Sequence, residues 1–469
     1  MYPGNTYQPL GGEPAYGLWL RKAVDNTVSL ERTVASSMGR GLSSSVRMAN
    51  LPSRANSNAT VAVVAGAWSL VAWTEYDPAN APGDSNLFLR LTGTGFDSGS
   101  VKVSSAFRRS GWDVTLIIDE SGRARAFWDE DSRPGVNGVF ANGQWVVQPD
   151  VGDIRLDAGR HLTSPDGQGW RFYTRFSAGV VRHTMRRLSA EHGFGPEVRV
   201  DDPAQGSPVG YREASGQDGE NFTTVAFQQV SGAQTGCLAV RRMLAGVLQA
   251  SDCIEVSGET MPNHNFFDLT TDPSGHALLT WSTGVKDRAL YGARRGVNGL
   301  WSSPVKLTDL TLASNAAYSW LSGVLSRIDS NGRALVALRL NNQAWGAPTI
   351  RALIGLEDGS WSNPVELAQL GMSSRDMSVA FNGQGVPGVL QLVAQLDGSA
   401  AVMMSTWSNG GWQSQILRSG TQLSYINGVP LYTLRLTPQG SNGWLALWDE
   451  GLGYNDSTGY RELWAAEYR

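Results

Sequence analysis

Three tryptophans that end strand-like runs are each followed two residues later by a glutamate. The copies read Trp73-Thr74-Glu75, Trp128-Asp129-Glu130 and Trp448-Asp449-Glu450. The segments that come next are polar and carry further acids and tyrosines. Together with one loop histidine, they supply the predicted ligand-binding residues: Glu75, Tyr76, Asp77, Asp129, Glu130, Asp131, Asp449, Glu450, Tyr454 and His264.

Three kinds of chemistry fit these residues. Clustered carboxylates suit Ca²⁺, which takes six to eight oxygen ligands, and the candidate calcium ligands are Asp77, Asp84, Asp129 and Asp131. Two carboxylates at the separation found in glycosidases would support glycan cleavage. Carboxylates beside tyrosines would bind a sugar by accepting hydroxyl hydrogen bonds and stacking on its ring. Polar loops also carry acids simply because they are solvated, so no residue is assigned a catalytic role, and calcium is the only candidate cofactor.

A repeat positions these residues along the chain. Its pattern is Asp-x-x-Gly-x-Ala-x-x-x-Trp, an apolar run, and then Gly-x-Trp-Ser-x-Pro-Val-x-Leu. The clearest copies are Asp272–Trp281 with Gly299–Leu307, and Asp329–Leu338 with Gly359–Leu367. The turn glycines fall at 66, 122, 167, 219, 275, 332, 385 and near 440, at intervals of 45 to 57 residues.

Each repeat predicts four short antiparallel strands. Asp followed by Gly three residues later favours a type I turn, and the runs on either side are alternating or β-branched, which is typical of strands. A second turn, usually Asn-Gly, Asp-Gly or Gly-Gly, precedes the Gly-x-Trp strand. No amphipathic helix is evident. Four-stranded units repeated at this interval indicate an all-β fold, a single β-propeller of eight blades, with seven as the alternative.

The last repeat ends before its fourth strand. In repeats five to seven the Gly-x-Trp tryptophan follows the turn glycine by 26, 29 and 27 residues (275 to 301, 332 to 361, 385 to 412), and the same offset from Gly443 reaches the final residue, Arg469. We therefore expect residues 1–42 to supply the closing outer strand and residues 43–469 to form the propeller. The candidate strands are Gly17–Val24 and Thr27–Val34.

The repeat resembles those of secreted bacterial β-propeller proteins that are loosely sialidase-like. Its Asp-x-x-Gly spacing differs from the sialidase Asp box, Ser-x-Asp-x-Gly-x-x-Trp, and no sialidase arginine trio can be placed. In a propeller, the loops between second and third strands share one face, and the Asp-x-x-Gly turns lie on the other. The resemblance therefore implies that the acidic loops of blades eight, one and two meet in one sector of one face.

Net charge, apolar segments and cysteines limit the classes of function and the locations that the sequence supports. The formal net charge of −4 argues against a nucleic-acid surface. The longest apolar stretch, Thr60–Trp73, is shorter than the about 20 residues of a membrane-spanning helix. The N-terminus has neither the basic nor the apolar region of a signal peptide. Cys237 and Cys253 flank a hairpin-like turn and are predicted to form a disulfide, which favours an extracytoplasmic location.

The sequence thus predicts an extracytoplasmic binding or adhesion module, monomeric, that recognises a glycan or another surface molecule on one propeller face. One alternative is a glycan-active hydrolase or lyase that uses carboxylates of blades eight, one and two. Another is a scaffold that binds a surface protein. The repeat tryptophans Trp128, Trp281, Trp301, Trp361 and Trp412 are predicted to pack between blades.

Overall fold

The structure is a computed structural model. It describes residues 16–22, 28–34, 46–51, 55–65, 68–75, 84–93, 95–108, 114–130, 133–148, 161–163, 168–177, 180–201, 207–218, 221–229, 236–244, 247–250, 252–256, 267–272, 274–282, 289–310, 319–342, 349–367, 373–394, 400–420, 434–439, 442–451 and 461–468.

The described strands fall into an N-terminal group and eight repeats. The N-terminal group is β1 (Tyr16–Lys22), β2 (Val28–Val34) and β3 (Val46–Leu51). Repeat 1 is β4 (Ala55–Ala65), β5 (Trp68–Glu75), β6 (Asp84–Gly93), β7 (Phe96–Asp97) and β8 (Val101–Arg108). Repeat 2 is β9 (Thr115–Ile118), β10 (Ala124–Glu130), β11 (Arg133–Ala141) and β12 (Gln144–Gln148). Repeat 3 is β13 (His161–Thr163), β14 (Gln168–Ser177), β15 (Val180–Ser189) and β16 (Gly193–Arg199). Repeat 4 is β17 (Ser207–Asp218), β18 (Asn221–Gln229), β19 (Gly236–Leu244), β20 (Val247–Leu248) and β21 (Asp252–Val256).

The remaining repeats follow the same order. Repeat 5 is β22 (Phe267–Thr271), β23 (Ala277–Ser282), β24 (Ala289–Arg295) and β25 (Val305–Asp309). Repeat 6 is β26 (Ser319–Ile328), β27 (Ala334–Asn342), β28 (Thr349–Gly355) and β29 (Val365–Glu366). Repeat 7 is β30 (Ser373–Phe381), β31 (Pro387–Ala394), β32 (Ala400–Ser408) and β33 (Gly411–Gly420). Repeat 8 is β34 (Leu434–Gln439), β35 (Gly443–Gly451) and β36 (Arg461–Tyr468).

The prediction of an all-β protein is confirmed, since no helix occurs among the described residues. Accordingly, they contain no helix long and apolar enough to cross a membrane. Repeats 3, 5, 6 and 7 each form a four-stranded antiparallel sheet in which strand order follows chain order. Repeat 4 forms a five-stranded sheet, and repeats 1 and 2 share a nine-stranded sheet through a single pair between β8 and β10.

The last repeat has three strands among the described residues, in the order β34-β35-β36. Both predicted closing segments form strands, but β1 pairs with β2 and β2 with β3 in a sheet of their own. Closure of a ring by either segment stays a prediction.

The chain divides into two compact units. The first contains Met1–Val34 and Ser43–Val200, and the second contains Ala35–Leu42 and Asp201–Arg469. Repeats 1 to 3 thus belong to the first unit and repeats 4 to 8 to the second. The predicted division after residue 42 is not tested by this partition.

Four of the predicted turns lie in the described residues, and they form as predicted, whereas Gly66, Gly167, Gly219 and Gly440 lie outside the described residues. In repeat 2, the Gly122 amide donates to the Asp119 carbonyl oxygen at 2.9 Å, and Gly122 has a φ of 81°. The Asp119 carboxylate accepts the backbone N–H groups of Ser121 and Arg123. The aspartate therefore stabilises the turn by satisfying two amides that the strands do not use. The same carbonyl-to-glycine bond and positive φ recur at Gly275, Gly332 and Gly385.

In each described turn, the residue that follows the glycine is complementary to the residue that begins the turn. Arg123 pairs with Asp119, Arg333 with Asp329, and His276 Nδ1 lies 2.9 Å from Asp272 Oδ2. In repeat 7, Asn382 takes the place of the aspartate and Val386 that of the cation. A neutral first residue thus accompanies a neutral partner, which avoids an unpaired carboxylate at a buried position.

Asp119 is expected to make stability depend on acid pH. Burial alone would raise the pKa of Asp119, but hydrogen bonds from Ser121 and Arg123 and the charge of Arg123 outweigh it and lower the pKa below 3.8. A group with a depressed native pKa stabilises the fold above its unfolded pKa, and that contribution is lost as pH falls. Asp119→Asn should flatten the decline of unfolding free energy below about pH 4, measured by urea unfolding across pH. An unchanged pH profile would contradict this role, and Asp309→Asn, an exposed aspartate, is the control.

Side chains reach from one repeat to the turn of the next. Each covers a positive-φ glycine so closely that an added Cβ would lie within about 3.3 Å of it. The pairs are Trp68 on Gly122, Arg242 on Gly275, His276 on Gly332, and Arg333 on Gly385. Repeats 1 and 2 in the first unit, and repeats 4 to 7 in the second, therefore pack in chain order.

Arg294 makes a further link between repeats 5 and 6. Its guanidinium carbon lies 4.3 Å above the Trp361 ring, and Nη1 donates to the Leu356 carbonyl oxygen. Burial lowers the pKa of Arg294 to about 10 despite the opposing charge of Asp358. Arg294 thus remains protonated at neutral pH, and its charge is held by carbonyl dipoles and an aromatic face.

First strands of consecutive repeats are joined by side-chain hydrogen bonds as well. Asp268 Oδ2 accepts both the N–H and the hydroxyl of Ser326, at 2.8 and 2.7 Å. Ser378 Oγ accepts the Leu436 amide at 3.0 Å. These bonds link repeats 5 to 6 and 7 to 8, and they satisfy amides at a strand edge that would otherwise lack partners.

Candidate binding site at the acidic edge of the first unit

The structure places half of the predicted site residues in strands. Glu75 ends β5, while Asp129 and Glu130 end β10. Asp449 and Glu450 lie near the end of β35 in the second unit. The other predicted residues lie outside the described ranges: Tyr76, Asp77, Asp131, Tyr454 and His264.

Strand register brings three acidic residues of the first unit to neighbouring strands. Glu75 of β5 lies opposite Asn86 of β6, two residues from Asp84 at the start of the same strand. Ser85, next to Asp84, lies opposite Phe107 of β8. Phe107 in turn lies opposite Glu130 of β10. Glu75 and Asp84 thus lie at the ends of the paired strands β5 and β6, and Glu130 lies at the end of β10 in the same sheet. We call Glu75, Asp84 and Glu130 the acidic edge.

Glu130 is the member of the acidic edge whose side chain the structure describes. It is only 6% exposed. Its Oε1 accepts the Ser104 hydroxyl at 2.6 Å and lies 3.3 Å from the Trp128 indole nitrogen. A buried carboxylate is stable only when donors compensate its lost hydration. Ser104 and Trp128 therefore fix Glu130 at the junction of repeats 1 and 2.

Sequence reasoning missed Ser104 and Asn86, both of which are buried at the acidic edge. Ser104 precedes Glu130 by 26 residues and stands in a run, Val101–Arg108, without any motif. Only the pairing of β8 with β10 brings the two residues together. The pairing of β8 with β10 would have identified Ser104, and the pairing of β5 with β6 would have identified Asn86.

The acidic residues of repeat 8 have a different setting. Glu450 lies directly opposite Glu462 of β36, and Asp449 lies opposite Leu463. Like charges directly opposite one another in an antiparallel pair are destabilising. The close placement of two glutamates is therefore a feature that packing alone does not favour.

The predicted calcium site is largely beyond what the structure describes, since Asp77 and Asp131 fall outside its ranges. Asp84 and Asp129 belong to β6 and β10. Within the described part of the chain, no group of three or more His, Cys, Asp or Glu residues is placed to hold a metal ion. The calcium hypothesis stays a prediction.

The predicted cysteine pair lies on neighbouring strands. Cys253 of β21 is opposite Ala239 of β19, two residues along from Cys237. Cys253 is disulfide-bonded, and Cys237 is the only other cysteine of the chain. The disulfide fastens the outer strand β21 within the sheet of repeat 4.

The repeat tryptophans occupy two environments. Trp128 and Trp281 are 0% and 3% exposed, whereas Trp301, Trp361 and Trp412 are half-buried. Trp281 belongs to one core cluster with Leu238 and Ile254 of repeat 4 and with residues of its own repeat. The prediction that Trp281 packs between repeats is therefore confirmed.

No protein-family model and no curated protein matches the sequence. Among solved structures, an α-L-arabinofuranosidase from Fusarium graminearum is 12% identical, with a TM-score of 0.33, covering 66% of this chain and 92% of that one. A eukaryotic initiation factor is 10% identical, with a TM-score of 0.44, covering 89% and 92%. A polysaccharide lyase, an ulvan lyase, is 10% identical, with a TM-score of 0.40, covering 86% and 90%. At these TM-scores, none of the three functions is carried over to this chain.

Proposed function

We propose that this protein is a binding module that recognises a glycan through the acidic edge of its first unit. The observation that carries the proposal is the placement of Glu75, Asp84 and Glu130 at the ends of strands β5, β6 and β10, which belong to the one sheet that repeats 1 and 2 share. Carboxylates accept hydrogen bonds from sugar hydroxyls, and charged acceptors form stronger bonds than neutral ones. Glu75 and Asp84, on the paired strands β5 and β6, provide two such acceptors for one ligand, whereas Glu130 is buried and held by Ser104 and Trp128.

The proposed architecture is an eight-bladed propeller. Its support is the packing in chain order of repeats 1 and 2 within the first unit and, separately, of repeats 4 to 8 within the second. The last repeat, which has three strands among the described residues, would receive its fourth strand from Gly17–Val24 or Thr27–Val34. Such closure would cover an open sheet edge.

The proposed location is extracytoplasmic. Its support is the disulfide-bonded Cys253, because disulfides persist in oxidising compartments and are rare in reducing ones. The same setting is where a protein meets surface glycans.

We expect the double variant Glu75→Gln, Asp84→Asn to bind its glycan at least about tenfold more weakly. Each lost hydrogen bond to a charged acceptor is worth about 1.5–3 kcal/mol, and about 1.4 kcal/mol corresponds to a factor of ten. The measurement is a glycan array with and without calcium, followed by titration calorimetry with the strongest ligand.

The matched control is Glu120→Gln. Glu120 is exposed and lies in the turn that precedes β10, and Glu130 is the last residue of β10. The control therefore removes an acidic residue at the other end of that strand. Equal binding by the double variant and the wild-type protein would overturn the proposed site. Absence of binding to any glycan on the array would overturn the proposed function itself.

A further inference from the structure

The outer strand of repeat 2, β12, lies at the edge of its sheet and has no charged residue and no proline. Strand β12 has the sequence Gln-Trp-Val-Val-Gln and pairs with β11 on one side, and no described strand pairs with its other side. Val146 and Val147 are 47% and 42% exposed. The strand therefore offers unpaired backbone groups and exposed aliphatic side chains together.

Other outer strands in the described part of the chain are protected in the usual way. Charged residues and proline on an edge strand discourage pairing with another molecule. The outer strands of repeats 3 to 7 and the last described strand of repeat 8 each carry at least one such residue: Pro196 and Glu197 in β16, Asp252 in β21, Lys306 in β25, Glu366 in β29, Arg418 in β33 and Arg461 in β36. By contrast, β12 contains none.

The hairpin that ends in β12 fixes which backbone groups point outward. Its two-residue turn, Asn142-Gly143, has φ values of 51° and 78°, and Ala141 lies opposite Gln144. In an antiparallel ladder, hydrogen-bonded pairs alternate with non-bonded pairs, and the pair that flanks a two-residue turn is bonded. Gln144, Val146 and Gln148 thus bond to β11, so the N–H and C=O groups of Trp145 and Val147 face the open edge.

We propose that β12 pairs antiparallel with β12 of a second copy of this chain, around a two-fold axis at Val146. In that register Val146 lies opposite its own copy, and Trp145 lies opposite Val147. The outward groups of Trp145 and Val147 then meet in bonded pairs on both sides of the axis. Gln144 lies opposite Gln148, so the near-palindromic sequence places amide against amide and apolar side chain against apolar side chain.

The occupant is a second copy because the edge is complementary to itself. A two-fold contact uses the same residues on both partners, and β12 satisfies that requirement without any like-charge pair. Five residues per copy form a contact at the small end of specific interfaces. The dimer is therefore reversible and concentration-dependent, and the monomer predicted from sequence is the form present at low concentration.

The test is sedimentation velocity of the full chain from about 1 μM to about 500 μM, a range that brackets weak association. The wild-type protein should move from the mass of one copy toward that of two. Val146→Lys should remain a single copy throughout, because two lysines would face each other at the axis. Ile416→Lys, at a 43% exposed position of β33, should dimerise like the wild-type protein.

A charge-pairing experiment tests the register directly. Val146→Lys and Val146→Glu should each be monomeric alone and should form a mixed dimer when combined, since opposite charges then face each other at the axis. Circular dichroism melting of each variant verifies that it is folded. A wild-type protein that stays monomeric at the highest concentration, or a folded Val146→Lys that dimerises undiminished, would overturn the proposal.

Discussion

Gly122→Ala should lower the unfolding free energy by about 2–5 kcal/mol. Two effects add in this substitution. The φ of 81° is unfavourable for a residue with a Cβ atom, by about 1–2 kcal/mol. The new Cβ would also lie 2.5 Å from Trp68 Cε2, and overpacking of this kind costs about 1–3 kcal/mol.

Gly143→Ala is the matched control in the same repeat. Gly143 has a φ of 78°, but a Cβ built there would meet no atom within 4 Å. Gly143→Ala should therefore lower the unfolding free energy by the backbone contribution alone, about 1–2 kcal/mol. Urea unfolding of the two variants, with a common m-value, separates the contact from the backbone effect.

A double-mutant cycle assigns the difference to Trp68. In a Trp68→Leu background, Gly122→Ala should cost less than in the wild-type protein, because the clashing ring is gone. Equal costs in the two backgrounds would show that Trp68 does not cover this turn. Such a result would contradict the contact of Trp68 in repeat 1 with the turn of repeat 2.

Trp281→Ala should lower the unfolding free energy by about 3–5 kcal/mol, the range of large buried aromatics. Trp281 is 3% exposed and stacks on Tyr291, with ring centroids 6.1 Å apart. It also belongs to the core cluster that contains Leu238 and Ile254 of the preceding repeat. The truncation therefore opens a cavity between two repeats, which neither sheet can fill alone.

Leu300→Ala is the control for Trp281. Leu300 is 71% exposed in the turn after β24, so its truncation should change stability by less than about 0.5 kcal/mol. Chemical denaturation followed by fluorescence and by circular dichroism measures both variants. A loss near zero for Trp281→Ala would mean that the tryptophan is not part of the packing between repeats 4 and 5.

The sequence was sufficient for the local turns, because their interactions span few residues. Asp119 and Gly122 are three residues apart, and their hydrogen bond depends only on the turn between them. The same holds for the second turn at Asn142-Gly143, whose positive φ values suit those two residue types. Such contacts recur wherever the motif recurs.

The candidate site could be predicted only in part. The Trp-x-Glu motif identified Glu130, but it did not predict that the carboxylate is buried against Ser104 and Trp128. Ser104 lies on β8, and neither turn chemistry nor periodicity specifies that β8 meets β10. The pairing of β1 with β2 and β3 likewise follows from which strands find each other.

The sequence by itself determined the repeat, the turn positions and the strand content of this protein. These features follow from backbone preferences of glycine, aspartate and asparagine and from alternation within single strands. Only the tertiary structure decided that Trp68 covers Gly122, that Glu75 and Glu130 belong to one sheet, and that β12 pairs with a single strand among the described residues. Those outcomes depend on which sheets pack together, and the free energy of that choice is spread over contacts between residues far apart in the chain.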